Sequence, residues 1–123
     1  MEIYSYWSAV ARQDAEAMRA FFHESAYINW HNTNEHFTVD EFIRVNCEYP
    51  GAWVGEVERI EESGDHTITV AHVFSADKCM SFHVVSFIRI ADDKIISIDE
   101  YWGDDGRAPE RRSEMKLGTA IER

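Results

Sequence analysis

The feature that most constrains the fold is a change of period after Pro50 and Gly51. Before this point apolar residues recur every three or four positions, which predicts amphipathic helices. Beyond it they alternate with polar residues, which predicts strands at 53–62, 66–76, 79–91 and 94–102. The turns between these strands, at 63–65, 77–78 and 92–93, are short. Such short turns predict an antiparallel meander.

The first fifty residues carry helical periodicity that one strand interrupts. Segments 4–11 and 15–22 predict a bent helical hairpin, with Asp14 as the N-cap of its second helix. Segment 26–31, rich in aromatic and β-branched residues, predicts a strand that a turn joins to a short return strand at 35–38. Thr38 and Glu41 then form a capping-box pattern for a third helix, which Pro50 and Gly51 end.

This order of elements predicts an α+β fold, with N-terminal helices packed on a strongly curved antiparallel sheet. The sheet closes over the helices like a cone, which leaves a cavity at the open end. A length of 123 residues is typical of one domain, 1–123. A short helix is expected near 109–116 in the polar tail.

Charge and cysteine usage restrict the partners. The net charge of −11 repels phosphate backbones and anionic lipid, so we expect neither nucleic acid nor a membrane as a partner. Cys47 and Cys79 match no metal-binding or redox spacing, and the sequence shows no secretion signal and no apolar run of membrane-spanning length. These features predict a cytoplasmic protein without a cofactor.

The element order and the ending Asp93-Lys-Ile-Ile-Ser-Ile-Asp-Glu-Tyr-Trp102 resemble the nuclear-transport-factor-2-like superfamily and its SnoaL-like members. Segment 26–37 also resembles the first strand and turn of that group. The resemblance implies a cone-shaped α+β fold with one pocket. The superfamily includes isomerases, dehydratases, epoxide hydrolases, polyketide cyclases and non-catalytic binding domains, so the fold does not select a reaction.

The resemblance also suggests part of a catalytic site. In the epoxide hydrolase members, a Tyr and an Asn on the first strand act with an acid on the last strand to hold and deprotonate a water. Tyr27, Asn29 and Glu100 match these positions. The Arg-x-Asp pair that those enzymes carry on a middle strand is missing from 66–72, which leaves only the water-binding half of that site.

Strand parity selects two acid–base candidates. Glu100 shares a strand face with Ile96, Ile98 and Trp102, and a carboxyl beside apolar walls suits a general acid or base. His72 shares a face with Ile68, Val70 and Phe74. We expect His72 to lie across the concave sheet from Glu100, either as a core histidine or as its proton-transfer partner.

Further residues are candidates for the pocket wall. On the first strand Tyr27, Asn29 and His31 share one face, and Ile28 and Trp30 the other. The resemblance favours the polar set inside and burial favours Trp30, so both remain open. The remaining candidates for substrate binding are Asn46 on the third helix, Trp53 after the Pro50-Gly51 turn, and Trp102.

The six histidines do not predict a metal site. His31 and His36 lie five apart across a turn, and no pair has the His-x-x-x-His spacing of a helical zinc motif. The sequence therefore favours a cofactor-independent enzyme that performs acid–base chemistry, such as isomerisation, dehydration, cyclisation or hydration, on a small hydrophobic or aromatic molecule. The alternative is a non-catalytic ligand-binding or dimerisation module.

The strand at 79–91 separates a core face from an outer face. Met80, Phe82, Val84, Ser86, Ile88 and Ile90 share the face expected in the core. Val85 and Phe87 lie on the other face, with His83 and Arg89 around them. Because exposed apolar patches of this kind usually mark association sites, we expect a homodimer through the outer sheet face. The alternative is that the tail, 109–121, covers these two residues within one chain.

Overall fold

A computed structural model describes residues 1–122 and confirms the α+β fold, with N-terminal helices packed on a curved six-stranded sheet. The elements are α1 (Ile3–Ala11), α2 (Ala15–Ala20), β1 (Phe22–Trp30), β2 (Glu35–Thr38), α3 (Val39–Cys47), β3 (Trp53–Ser63), β4 (His66–Ser75), β5 (Ser81–Ala91), β6 (Lys94–Asp104) and α4 (Glu110–Glu114). None of the helices in the described chain is long and apolar enough to cross a membrane.

The strand order is β2-β1-β6-β5-β4-β3. The meander from β3 to β6 is antiparallel throughout, as predicted, and β1 pairs antiparallel with β2. The first strand joins the meander by a parallel pairing with β6, which makes the sheet mixed. This parallel pairing places β1 beside residues 95–100 of β6.

Local sequence signals fix the helix ends. The side chain of Asp14 accepts a hydrogen bond from the Ala17 backbone N–H, and Thr38 and Glu41 form the reciprocal capping box. The second helix ends at Ala20 rather than at residue 22, because Phe22 begins β1 and pairs with β6 instead. The third helix ends at Cys47, three residues before Pro50.

The core lies between α1, α3 and the inner face of the sheet. On β5 the predicted core face is confirmed for Val84, Ser86 and Ile88, which are fully buried. Phe82 is only half-buried and Met80 is exposed, because both lie near the open end of the cone. On α1 the backbone approaches β3 at Gly55, where an added Cβ would lie 3.2 Å from the Ala11 Cβ.

A β-bulge changes the predicted parity of β6. The register with β5 shifts between Arg89 and Ile90, so that Ile90 faces Ile95 and Arg89 faces Ser97. Ile95 is therefore the fully buried residue at the start of the strand, and Ile96, predicted to face inward, is half-exposed. After the bulge the predicted parity returns, because Ile98 and Glu100 are buried.

Candidate functional site

The predicted cavity lies at the open end of the cone, between α1, α3 and the inner sheet face, with a volume of about 320 Å³. All four tryptophans of the chain contribute to its wall. The lining residues are Trp7, Trp30, Trp53, Trp102, Tyr49, Phe82, Val10, Ala11, Val45, Val73, Gln13, Asn32, Thr33, Asn46 and Asp104. Four of the predicted site residues, Trp30, Asn46, Trp53 and Trp102, are thus brought together around it.

Hydrogen bonds hold three of the tryptophan rings in place. The indole nitrogens of Trp7, Trp30 and Trp53 donate to Thr69 Oγ1 at 3.2 Å, Glu100 Oε1 at 2.9 Å and the Pro50 carbonyl at 3.0 Å, respectively. Because each N–H is used within the protein, these rings offer the cavity mainly their carbon surface.

A row of polar side chains crosses the inner face beneath the cavity. Thr69, Ser86 and Glu100 are directly opposite each other on β4, β5 and β6, and Trp30 on β1 completes the row. Ser86 donates from Oγ to Glu100 Oε2 at 2.6 Å. Small hydroxyl residues fit here because the large ring of Trp7 lies over Thr69. The row ties the sheet to the aromatic wall.

Glu100 is 1% exposed and lies under the wall, outside the set of residues that line the cavity. Burial raises its pKa, and the hydrogen bonds from Ser86 and Trp30 and the nearby Trp102 indole oppose this rise only in part. A buried carboxyl without a basic partner favours its neutral form. Glu100 therefore acts first as a support for Trp30, and it keeps its proton to higher pH than an exposed glutamate.

Two buried polar atoms near Glu100 have no hydrogen-bond partner among residues 1–122. The first is Trp102 Nε1, which approaches the Glu100 carboxyl without reaching hydrogen-bond geometry. The second is the Tyr6 hydroxyl, whose pKa burial raises well above its usual value, with a smaller contribution from Glu100. These two groups are unsatisfied, whereas the side chains of the polar row are hydrogen-bonded.

The polar residues of the wall are few, and those on the helical side are already engaged. Asn46 donates from Nδ2 to the Val10 carbonyl at 2.9 Å, and Gln13 donates to the Asn46 and Tyr49 carbonyls. Asn46 therefore joins α3 to α1 before it can contact a ligand. On the opposite side Asp104 carries the one acidic group of the lining, and no Lys, Arg or His of the described chain lines the cavity. The cavity thus disfavours anions.

The structure resolves the two alternatives for the first strand in favour of Trp30. Ile28 is fully buried and Trp30 faces Glu100, whereas Tyr27 and Asn29 lie on the outer face. Asn29 donates from Nδ2 to Asp99 Oδ1 at 3.0 Å there. The predicted grouping of Tyr27 and Asn29 with Glu100 is therefore wrong, because alternate residues of β1 point to opposite sides of the sheet.

His72 also lies on the outer face. Its directly opposite neighbours are Glu56 on β3 and His83 on β5, and its Nε2 lies 2.7 Å from Ser81 Oγ. The prediction that His72 faces Glu100 across the pocket is wrong. The face of β4 that carries Thr69 and Ala71 packs against the helices because small residues fit beneath Trp7, and most of the larger apolar residues of β4 share the outer face with His72.

Sequence reasoning missed Trp7, Phe82 and Asp104 as parts of the wall. The periodicity of Trp7 and Phe82 predicts core positions, where aromatic residues are equally common. Asp104 follows the predicted end of the last strand, and its position depends on β6 continuing two residues further. No local pattern distinguishes a cavity wall from a core that is filled.

An α+β cone whose open end holds an aromatic-lined cavity is the architecture of the nuclear-transport-factor-2-like class. The family model for the SnoaL-like domain matches residues 3–98, and the chain belongs to that family. No curated protein matches the chain at the level of sequence.

Solved structures support the same fold. A provisionally assigned ketosteroid isomerase from Kribbella flavida is 21% identical with a TM-score of 0.79, over 98% of this chain and 88% of its own. An NTF-2-like protein from Burkholderia xenovorans is 21% identical with a TM-score of 0.76, over 96% and 92%. A protein of ketosteroid isomerase-like fold from Catenulispora acidiphila, solved in complex with trimethylamine, is 13% identical with a TM-score of 0.70, over 80% and 82%. At these identities the likeness shows the fold alone.

Proposed function

We propose that the protein binds a small hydrophobic molecule, neutral or cationic, in the cavity at the open end of the cone. The observation that carries the proposal is that all four tryptophans of the chain line one cavity and three of them are fixed there by hydrogen bonds. A fixed aromatic wall loses little conformational entropy when a ligand binds, which favours affinity.

The size of the cavity limits the ligand. About 320 Å³ is at the lower end of the range of small-molecule pockets, roughly 300–1,000 Å³. A molecule of one or two rings fits this space. The wall is mostly carbon, so the ligand gains most of its binding free energy from apolar burial.

The charge of the cavity wall predicts which class of ligand binds most strongly. Asp104 lines the cavity, no basic residue of the described chain lines it, and the whole chain carries a net charge of −11. Aromatic faces also attract organic cations. The trimethylamine complex of the Catenulispora acidiphila protein is consistent with such a preference within this fold. We therefore expect ammonium compounds to bind at least as well as neutral ones, and carboxylates to bind worst.

The test is a matched set of three ligands: benzyl alcohol, benzyltrimethylammonium and benzoate. Binding is followed by tryptophan fluorescence and by thermal shift. We expect the neutral and cationic compounds to bind and benzoate to bind at least about tenfold more weakly, a difference of about 1.4 kcal/mol. Trp102→Ala should weaken binding, and Tyr101→Ala, an aromatic neighbour on the outer face, should not. Absence of binding by all three ligands, or equal effects of the two variants, would contradict the proposal.

A second candidate function is acid catalysis by Glu100 on the bound molecule. The observation that favours it is the raised pKa of the buried Glu100 carboxyl, which holds Trp30 of the cavity wall, because such a group keeps its proton to higher pH than an exposed glutamate. The proton would reach a ligand only if Trp30 moved, since both Glu100 oxygens are hydrogen-bonded.

The two candidates are separated by assaying double-bond isomerisation of a one-ring β,γ-unsaturated ketone, which fits the cavity, with the wild type and with Glu100→Gln. Catalysis by Glu100 predicts that turnover falls by about 10²–10⁴-fold while ligand affinity changes little. Turnover that is absent in the wild type, or equal in both proteins, would leave binding alone as the proposed function.

A further inference from the structure

A cluster of two histidines and a glutamate lies on the outer face of the sheet, away from the cavity. His72 and His83 are directly opposite each other on β4 and β5, and their rings stack with centroids 4.8 Å apart. Glu58 lies in a bulge of β3 between Val57 and Arg59, and such bulges redirect side chains. One donor atom from each of the three residues lies within 4.8 Å of the other two.

The two nitrogens of His83 have different surroundings. Nδ1 lies 2.5 Å from Asp105 Oδ1, a carboxylate that only accepts hydrogen bonds, so Nδ1 carries the proton. Nε2 is buried and, in the described part of the chain, has no partner in hydrogen-bond geometry, although Glu58 Oε1 lies 3.1 Å away. His83 Nε2 and Glu58 Oε1 therefore face each other, and each is an atom of a type that binds metal ions. A divalent cation would bind both atoms by displacing any proton that they share.

Asp105 also orients the second imidazole. Its Oδ2 accepts a hydrogen bond from Ser81 Oγ at 2.5 Å, and the same hydroxyl lies 2.7 Å from His72 Nε2. The backbone N–H of Asp105 donates to the Ser81 carbonyl at 3.0 Å, which fixes the loop after β6. A carboxylate that holds the distal edge of a histidine ring is the usual support of a metal-binding imidazole.

The cluster is partly accessible to solvent. The side chains of Glu58, His72, His83 and Asp105 are between 27% and 33% exposed. A hydrated ion can therefore enter, and the half-buried ligands need little reorganisation. Bringing three donors from at most 4.8 Å apart to the spacing around a tetrahedral zinc ion, about 3.4 Å, requires only side-chain rotations.

We propose that Glu58, His72 and His83 form a binding site for a divalent transition-metal ion such as Zn²⁺, with Asp105 as a positioning residue. Two imidazole nitrogens and one carboxylate oxygen form a donor set that zinc and its neighbours in the first transition series prefer. Ca²⁺ and Mg²⁺ prefer oxygen donors alone and should not compete. The fourth position would be open to water. This site is independent of the function proposed for the cavity.

The experiment is a calorimetric titration of the metal-free, tag-free full chain with ZnCl₂. We expect saturable binding of one Zn²⁺ per chain, and a visible absorption spectrum typical of low coordination when Co²⁺ replaces it. His72→Ala and His83→Ala should abolish binding. Asp105→Asn should weaken it by about 10–100-fold and leave the Co²⁺ spectrum unchanged, because the three ligands remain.

The matched control is His31→Ala. His31 is also a half-exposed histidine that meets an aspartate, with Nε2 2.7 Å from Asp99 Oδ1, but it lies outside the cluster. This variant should bind Zn²⁺ like the wild type. If the histidine variants do not fold, the ring-proton resonances of the wild type decide: Zn²⁺ should move those of His72 and His83 and not those of His31. No saturable binding, or an equal response of His31, would overturn the proposal.

Discussion

The indole nitrogen of Trp30 donates a hydrogen bond to Glu100 Oε1 at 2.9 Å, and the two residues are direct neighbours across the parallel pairing of β1 and β6. A carboxyl at this position is costly to bury as an anion, so it keeps its proton more readily than an exposed glutamate. The Glu100 carboxyl orients the Trp30 ring in the cavity wall by this hydrogen bond, which an apolar side chain at position 100 could not form.

We expect Glu100→Gln to change how stability depends on pH. Because burial raises the pKa of Glu100 in the folded state, the folded protein keeps a proton that the unfolded chain has released. Folding then takes up a proton, so the free energy of unfolding falls as pH rises. This contribution is complete below about pH 4.3, the ordinary pKa of glutamate, and is lost as pH rises through the folded pKa. The glutamine side chain of the variant does not titrate, so the free energy of unfolding of the variant should increase relative to that of the wild type over this range.

The measurement is denaturant unfolding of both proteins from pH 4 to pH 9 (a range that spans this window). Ser86→Ala provides the second comparison. The hydrogen bond from Ser86 lowers the Glu100 pKa, so its removal should extend the loss of stability to higher pH. A difference between wild type and Glu100→Gln that stays constant over the range would contradict the assignment.

Tyr6→Phe should leave the protein as stable as the wild type or stabilise it by about 1 kcal/mol. The Tyr6 ring is fully buried and packs edge-on against Trp7, Phe21 and Phe22. Its hydroxyl has no hydrogen-bond partner in the chain as far as residue 122, so the variant removes an unsatisfied polar group and keeps the packing. Chemical denaturation checks this, and a loss above about 2 kcal/mol would mean that the hydroxyl is satisfied in solution.

The fold could be predicted from the sequence because its strongest signals are local. The Thr38–Glu41 capping box and the Asp14 cap act within a few residues, and both are found as expected. The turn at Asp77-Lys78 is also present, but the connection is longer than predicted, since β4 ends at Ser75 and β5 begins at Ser81. The parallel pairing of β1 with β6 was not predicted. That contact joins residues about seventy positions apart, and no short pattern encodes it.

The site was harder to predict because it depends on which face of each strand is buried. On β6 Glu100 is the one carboxylate on a face of otherwise apolar residues, and the prediction that this face lies inward is correct for Glu100. On β4 the more apolar face, which carries Ile68, Val70 and His72, is the outer one. Side-chain size rather than hydrophobicity decides which face is buried, so parity and hydrophobicity predict the wrong face for His72. The turn at Asp77-Lys78 held an unused signal. His72 lies five residues before Asp77 and His83 five residues after Lys78, so a tight hairpin brings them opposite each other.

Ile88→Ala should destabilise the protein more than Phe82→Ala, although phenylalanine is the larger residue. Ile88 is fully buried, and its truncation should cost about 2–5 kcal/mol. The sequence alone predicted about 3–5 kcal/mol for Phe82→Ala, but Phe82 is half-buried and borders the cavity, so its loss enlarges a space that is already open. We now expect less than about 2 kcal/mol, and unfolding curves that rank the two variants in the opposite order would show that the cavity is closed in solution.

We expect the protein to form a homodimer through the outer face of the sheet. Val85 and Phe87 are half-exposed there, and Tyr101, directly opposite Val85, is 46% exposed and stacks edge-on against Phe87. The tail is a poor alternative cover, since residues 103–122 are all exposed. A second copy related by a two-fold axis would bury the apolar patch against itself. The net charge of −11 opposes association, so low salt should weaken the dimer.

Sedimentation at micromolar concentration should give twice the 14.3 kDa chain mass. Phe87→Lys should halve it, and Tyr4→Lys, which changes an exposed aromatic residue on α1, should not. A single species of one chain mass at every salt concentration would show that the outer face remains unpaired.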